Sequence, residues 1–191
     1  MPEYRRLDAP GATVFFTVVT EQRRPIFNDP VAVDLLRGAF RRVLADHPFT
    51  IDAIVIMPDH IHAIWTMPPG DDRFGLRWSA VKAAFTRAYL AGGGQETRRS
   101  ASRKARNERG VWQRRFWDHV IRDDDDLGRH MDYVYYNPVK HGYVDCPHAW
   151  PHTSFHRHVR NGLYAKDWMC VCRGRPVRPL DLRSLDGRVG E

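Results

Sequence analysis

Cysteine is scarce in this chain: three residues in 191, at positions 146, 170 and 172. So few thiols, odd in number, exclude a disulfide scaffold as the organising principle, and we expect reduced cysteines and a fold held by its core. Long apolar runs are also missing. No stretch approaches the ~18–20 residues of a membrane span, and Met1-Pro2-Glu3-Tyr4-Arg5-Arg6 has none of the apolar character of a signal peptide, so the expectation is a cytosolic protein. Acidic residues are in the minority, 23 Asp plus Glu against 30 Lys plus Arg, and the formal charge of +7 points to a polyanionic partner. There is no internal repeat. The length excludes two large domains, and a hydrophobic content of 42% excludes global disorder.

Residues Thr13 to Thr20 (TVFFTVVT) are β-branched and aromatic, bounded by Pro10-Gly11 and a charged segment, and read as a strand. Asp29-Pro30 supplies a helix cap and first-turn proline. Val33, Leu36, Phe40, Val43 and Leu44 then follow at helical spacing, which predicts a helix from Pro30 to Asp46. Ile51 to Met57 and His60 to Met67 flank Pro58-Asp59 and form a predicted β-hairpin. Trp78, Val81, Phe85, Ala88 and Tyr89 mark a second amphipathic helix, stopped by Gly92-Gly93-Gly94. Val111 to Ile121 has strand composition. The acidic run Asp123 to Asp126 then opens a third helix with Leu127, Met131 and Val134 on its core face, expected to end at Asn137-Pro138. Gly142-Tyr143-Val144 is a candidate short strand.

Strand, helix, hairpin, helix, strand, helix describes an α+β domain: an antiparallel sheet packed with helices, with a ferredoxin-like, RRM-like architecture as the nearest type. We assign residues 1–165 to this domain and 166–191 to a basic, irregular tail. Between Gln95 and Gly110 the sequence has no apolar periodicity and reads as a mobile basic loop. Its Arg98, Arg99, Arg103, Lys104, Arg106 and Arg109, with Arg114 and Arg115 beyond, are candidate ligands of DNA phosphates. Trp112, Phe116 and Trp117 are possible base-stacking surfaces beside them.

The second hairpin strand opens His60-Ile61-His62. Alternation puts both imidazoles on one face, about 7 Å apart along the strand, close enough to share a divalent ion with a third ligand from elsewhere. The pattern alone is weak. The chain has 10 histidines and repeats it at His156 and His158, and two rim histidines held by hydrogen bonds read equally well. Tyr133 and Asn137, four residues apart on one side of the third helix, add a nucleophile and a neutral oxygen ligand, with His130 on the same stripe. Tyr135 and Tyr136 read as packing residues. Cys170-x-Cys172 with His156-x-His158 is poorly spaced for zinc, because structural sites usually place two to four residues between paired cysteines.

Three segments carry a family resemblance: Met57-Pro58-Asp59-His60-Ile61-His62, Trp112 to His119 (WQRRFWDH), and Tyr133 to Gly142 (YVYYNPVKHG). In this order they resemble the REP-associated tyrosine transposases, the single-tyrosine, IS200-like branch of the His-hydrophobic-His endonucleases. Phe16 to Thr20 and Trp150-Pro151-His152-Thr153-Ser154 are also similar, so the resemblance spans about residues 10 to 165. The small residue usual after the Trp-Pro pair is less clear here. The resemblance implies that His60 and His62 bind a metal, that Asn137 is the third ligand where relatives use glutamine, and that Tyr133 is the nucleophile. Lys82 and Lys140 are candidate basic groups near the phenolate. The implied partner is single-stranded DNA at hairpin-forming repeats, acted on by a monomer or homodimer. The implied cofactor is Mg²⁺ or Mn²⁺; nitrogen and oxygen ligands favour Mn²⁺, cellular abundance Mg²⁺. An alternative of another class remains: a non-catalytic nucleic-acid-binding module of the same ferredoxin-like shape, with incidental histidines.

Overall fold

In the computed structural model, residues 10–172 and Leu180 are described. In chain order the elements are β1 (Thr13–Val19), α1 (Pro30–Asp46), β2 (Thr50–Ile56), β3 (His60–Thr66), α2 (Phe74–Ala91), a short α3 (Ala101–Ala105), β4 (Trp117–Val120), α4 (Asp124–Lys140) and a short α5 (Phe155–Arg160). The four strands form one antiparallel sheet ordered β2-β3-β1-β4. With α1 and α2 as the crossovers, this is the ferredoxin-like order expected from the sequence. No helix among the described residues is long and apolar enough to cross a membrane.

Both faces of the sheet are covered, which is why β1 and β3 are buried at almost every position rather than on one face only. Val14, Phe16 and Val18 of β1 and Ile61, Ala63 and Trp65 of β3 face α1 and α2. There Trp65 stacks on Trp78 with ring centroids 4.2 Å apart. On the opposite face Phe15 and Ile64 join Tyr133, Val134 and Tyr135 of α4 and Phe155 of α5 in a second cluster. Because side chains alternate, the residues of β3 that share this face with Ile64 are His60 and His62. The fold therefore puts the two imidazoles under α4.

The local signals explain the helix starts. The Asp29 carboxylate accepts a hydrogen bond from Val31 N–H at 2.9 Å, with Pro30 in the first turn. At α4, Asp123 accepts from Asp126 N–H at 2.7 Å, and Asp124, Asp125 and Asp126 place negative charge at the positive end of the helix.

Four expectations are corrected. Residues 111–121 are not one strand: Trp112 bridges to Thr20 and Gln113 N–H donates to the Val19 carbonyl, and the chain then breaks before resuming at Trp117. Helix α4 does not stop at Asn137-Pro138 but continues to Lys140. The pre-proline steric bias is overridden by burial of Val134, Tyr135, Asn137 and Pro138, and the Pro138 carbonyl accepts from Tyr143 N–H at 2.9 Å. Gly142-Tyr143-Val144 is turn rather than strand.

The segment 95–110 is no loose loop either. It carries α3, capped by Ser100, and is pinned by the Thr97 N–H to Gly110 carbonyl bond. Glu96 binds Arg109 and Arg99, Glu21 binds Arg103, and Glu108 binds Arg114. Three carboxylates that a charge tally treats as a small minority are spent on fixing it. Of the proposed tail, residues 173–179 and 181–191 lie outside the described residues.

Candidate active site

His60 and His62 are buried, at 2% and 0% exposure, and their rings lean together to a centroid separation of 4.7 Å, well inside the strand repeat. Each Nδ1 is engaged. Asp59 Oδ1 lies 2.6 Å from His60 Nδ1, and Thr17 Oγ1 lies 2.9 Å from His62 Nδ1. The β1–β3 register makes the second bond, because Thr17 is the direct partner of His62. When Nδ1–H donates to these oxygens, both rings present Nε2 towards the interior, as a metal-ligating histidine normally does.

Asp59 is itself fixed. Arg23 Nη1 donates to its carboxylate at 3.0 Å, and the Thr20 hydroxyl donates to its carbonyl at 2.9 Å. Burial pushes the Asp59 carboxyl up, but the hydrogen bonds to His60 and Arg23 outweigh it and hold the group below the ordinary carboxylate range. To reach Asp59, the turn Glu21–Arg23 puts Gln22 and Arg23 at φ of 57° and 50°, a left-handed conformation that costs non-glycine residues energy.

Tyr133 sits above this pair. Its ring centroid is 5.0 Å from that of His62 and 5.9 Å from Phe15, and Lys140 Nζ lies 5.1 Å over its face. Asn137, one helical turn on, is fully buried on the same side of α4. His141, at the end of α4, closes the far side with its ring 5.7 Å from His60. The neighbouring tyrosine is built for packing: the Tyr135 hydroxyl pairs with Ser154 Oγ at 3.0 Å and His158 Nδ1 at 3.2 Å, and burial pushes its pKa up to about 12. Tyr133 and Tyr135 thus differ in what each ring touches.

The donors suit a divalent ion: two imidazoles fixed through their far nitrogens, beside an amide from α4. A second cluster, His119, Asp126 and His130, reads as an ion-pair network. Asp126 is taken by His119, Arg122 and Arg129, and burial holds His130 below its ordinary pKa. Sequence reasoning missed Asp59, Thr17, Arg23 and His141. Asp59 looked like a turn residue, and Thr17 acquires a role only through strand register.

The basic candidates divide. Arg98, Lys104, Arg106 and Arg115 are exposed. Arg103 is committed to Glu21 and to the carbonyls of Arg109 and Trp112, while Arg99, Arg109 and Arg114 pair with glutamates. Lys82 donates to the Gln113 carbonyl at 3.0 Å. Of the candidate stacking residues, Trp112 is 5% exposed and packs on Phe27 and Phe85, which corrects its assignment to base stacking. Phe116 packs on Phe16 and Trp78, and Trp117 on Phe15 and His119, all within the body of the domain. The segment still adjoins the site, because Glu21–Arg23 joins it to Asp59 and so to His60.

The site sets two inward histidines of a ferredoxin-like sheet under a tyrosine-bearing helix, and residues 11–73 match the family described as transposase IS200 like. A REP-associated tyrosine transposase of Escherichia coli is 42% identical over 168 residues, 88% of this chain and 91% of its own length. A Haemophilus influenzae relative of that type is 42% identical over 169 residues, covering 88% and 93%. A solved REP-associated tyrosine transposase bound to a REP hairpin superposes with a TM-score of 0.72 at 41% identity, covering 88% of this chain and 91% of that one. The chain belongs to the REP-associated tyrosine transposases. It is a DNA transposase, and membership implies a divalent metal ion as cofactor.

Proposed function

We propose that this transposase cleaves and rejoins single-stranded DNA at hairpin-forming repeats, with Tyr133 as nucleophile and with His60, His62 and Asn137 holding Mg²⁺ or Mn²⁺. The observation that carries the reading is the 5.0 Å approach of the Tyr133 ring to that of His62. The solved relative bound to a REP hairpin supports the same substrate class.

A divalent ion held by His60, His62 and Asn137 would supply Lewis-acid polarisation of the scissile phosphate. The remaining tasks fall to the chain. Phenols in water ionise near pH 10, so the attacking hydroxyl must give its proton to solvent as the bond to phosphorus forms, and the ammonium of Lys140 over the Tyr133 ring stabilises the negative charge that develops. As the Tyr133 oxygen bonds to phosphorus, the bond to the 3′ oxygen breaks. That oxygen takes up a proton to become a free 3′-hydroxyl, and the 5′-phosphate stays on the tyrosine. The linkage remains a phosphodiester, so attack by another 3′-hydroxyl joins a new strand without ATP. Tyr133, His62 and Asn137 are all fully buried, so the pocket must open for a phosphate to enter.

The test is a 3′-labelled hairpin oligonucleotide incubated with Mg²⁺ or Mn²⁺. A labelled protein band that survives SDS is expected, and its absence with both ions would overturn the reading. Strand binding gives a separate prediction. If roughly six phosphates of a single strand are neutralised, log affinity falls with log salt at a slope near −4. Replacing Arg98, Lys104, Arg106 and Arg115 by Gln should flatten that slope by about 0.7 for each phosphate no longer neutralised. An unchanged slope in an anisotropy titration would place the DNA elsewhere. Arg103→Gln should instead cost stability, since Arg103 ties segment 95–110 to Glu21 and to the carbonyls of Arg109 and Trp112.

A further inference from the structure

The three cysteines do not lie apart as separate thiols. After α5 the chain returns beside the segment that follows α4, where Val171 N–H donates to the Asp145 carbonyl at 2.9 Å. This return brings all three sulfurs together. Cys146 and Cys170 are joined as a disulfide, and Cys172 Sγ lies 3.0 Å from Cys146 Sγ and 2.8 Å from Cys170 Sγ. The expectation of reduced cysteines rested on count and compartment, neither of which shows this tertiary contact.

A fourth donor shares the pocket. The nearest ligand atoms of His148, Cys146 and Cys170 all lie within 4.8 Å of one another. His148 Nδ1 is buried and has no hydrogen-bond partner. Cys146 and Cys170 are 3% and 7% exposed. A disulfide accounts for two of these four groups. It leaves a third thiol against both sulfurs and a buried ring nitrogen unsatisfied, at a cost of about 1–3 kcal/mol for such a nitrogen.

We propose that Cys146, His148, Cys170 and Cys172 form a structural zinc site in the reduced protein. Three thiolates and one imidazole are a common tetrahedral zinc set, with ligand atoms about 3.4–3.8 Å apart at ordinary bond lengths, a spread this cluster reaches by small side-chain shifts. Binding releases three thiol protons and changes no oxidation state. The one-residue spacings that look wrong for zinc are accommodated by the backbone. Pro147 opens a 3-10 turn that brings His148 round beside Cys146, and the return of 170–172 beside Asp145 brings the sulfurs of Cys170 and Cys172 to the same place. His156 and His158, the partners suggested by sequence spacing, are elsewhere: His156 bonds the Trp150 carbonyl and His158 pairs with Tyr135.

The ion would clamp residues 170–172 onto the connection between α4 and Trp150. Trp150 Nε1–H donates to the Ile56 carbonyl at 3.0 Å, at the end of the strand before His60. The clamp thus braces the end of the helix bearing Tyr133 and Asn137 against the hairpin that bears the histidines.

The experiment uses full-length, untagged protein purified with a thiol reductant and no chelator. Elemental analysis should find about one zinc per chain, retained in His60→Ala and lost in Cys146→Ser and Cys172→Ser. In case those cysteine variants fail to fold, wild-type protein exchanged into Co²⁺ should show a thiolate-to-cobalt charge-transfer band and tetrahedral d–d absorption. Zinc-free wild-type protein overturns the proposal, whether its cysteines alkylate fully or its mass shows a retained disulfide. So does zinc that persists in folded Cys146→Ser or leaves with His60→Ala, or cobalt binding without the thiolate band.

Discussion

Replacing Tyr133 by Phe is expected to abolish the covalent DNA adduct, by at least about 10³-fold, equivalent to about 4 kcal/mol of transition-state stabilisation. The protein should remain folded. Tyr133 is fully buried between Phe15, His62 and Lys140, and Phe preserves the ring and its packing, so the stability change should stay within about 1–2 kcal/mol. Binding of a hairpin should be nearly unchanged. Tyr135→Phe is the control: it removes a hydroxyl paired with Ser154 and His158, so it should lower the melting temperature and leave adduct formation in place. If the two variants exchanged these phenotypes, the nucleophile would be Tyr135.

His60→Ala should have the second largest effect, a loss of cleavage by at least about 10²-fold with DNA affinity changed only a few-fold. A metal ligand acts on the charge that develops in the transition state more than on ground-state phosphate contacts. Asp59→Asn gives a graded companion. It keeps a hydrogen bond to the imidazole but removes the negative charge, and such partners of metal ligands are commonly worth 10–100-fold in metal affinity or activity. Added Mn²⁺ should therefore restore much of Asp59→Asn activity and little of His60→Ala activity. Equal loss of cleavage and binding in His60→Ala would instead assign the histidine to folding or to DNA contact.

Local signals made most of the scaffold readable in the sequence. Asp29-Pro30 starts α1 where the cap rule puts it, Pro58-Asp59 turns the hairpin, and the alternation of β3 puts His60 and His62 on one face. The rules failed where two parts of the chain compete for one outcome. Pro138 should break a helix, yet packing of its neighbours keeps α4 intact, and that continuity holds Asn137 in register with Tyr133. Charge alone made 95–110 a loose arm, but Glu21, Glu96 and Glu108 tie it down. Thr17 and the cysteine cluster were illegible for one common reason. Each acquires its role from strand register or a returning segment, across separations that no local pattern encodes. The alternative of a binding module with incidental histidines gives way to membership of a transposase family.

The central claim is that the phenol beside the histidine pair is the group that takes the phosphate. The most direct measurement is peptide mapping of the protein–DNA adduct by mass spectrometry after nuclease and protease digestion. The account predicts a nucleotide-bearing peptide modified at Tyr133; modification at Tyr135, Tyr136 or Tyr143, or at a residue outside α4, would contradict it.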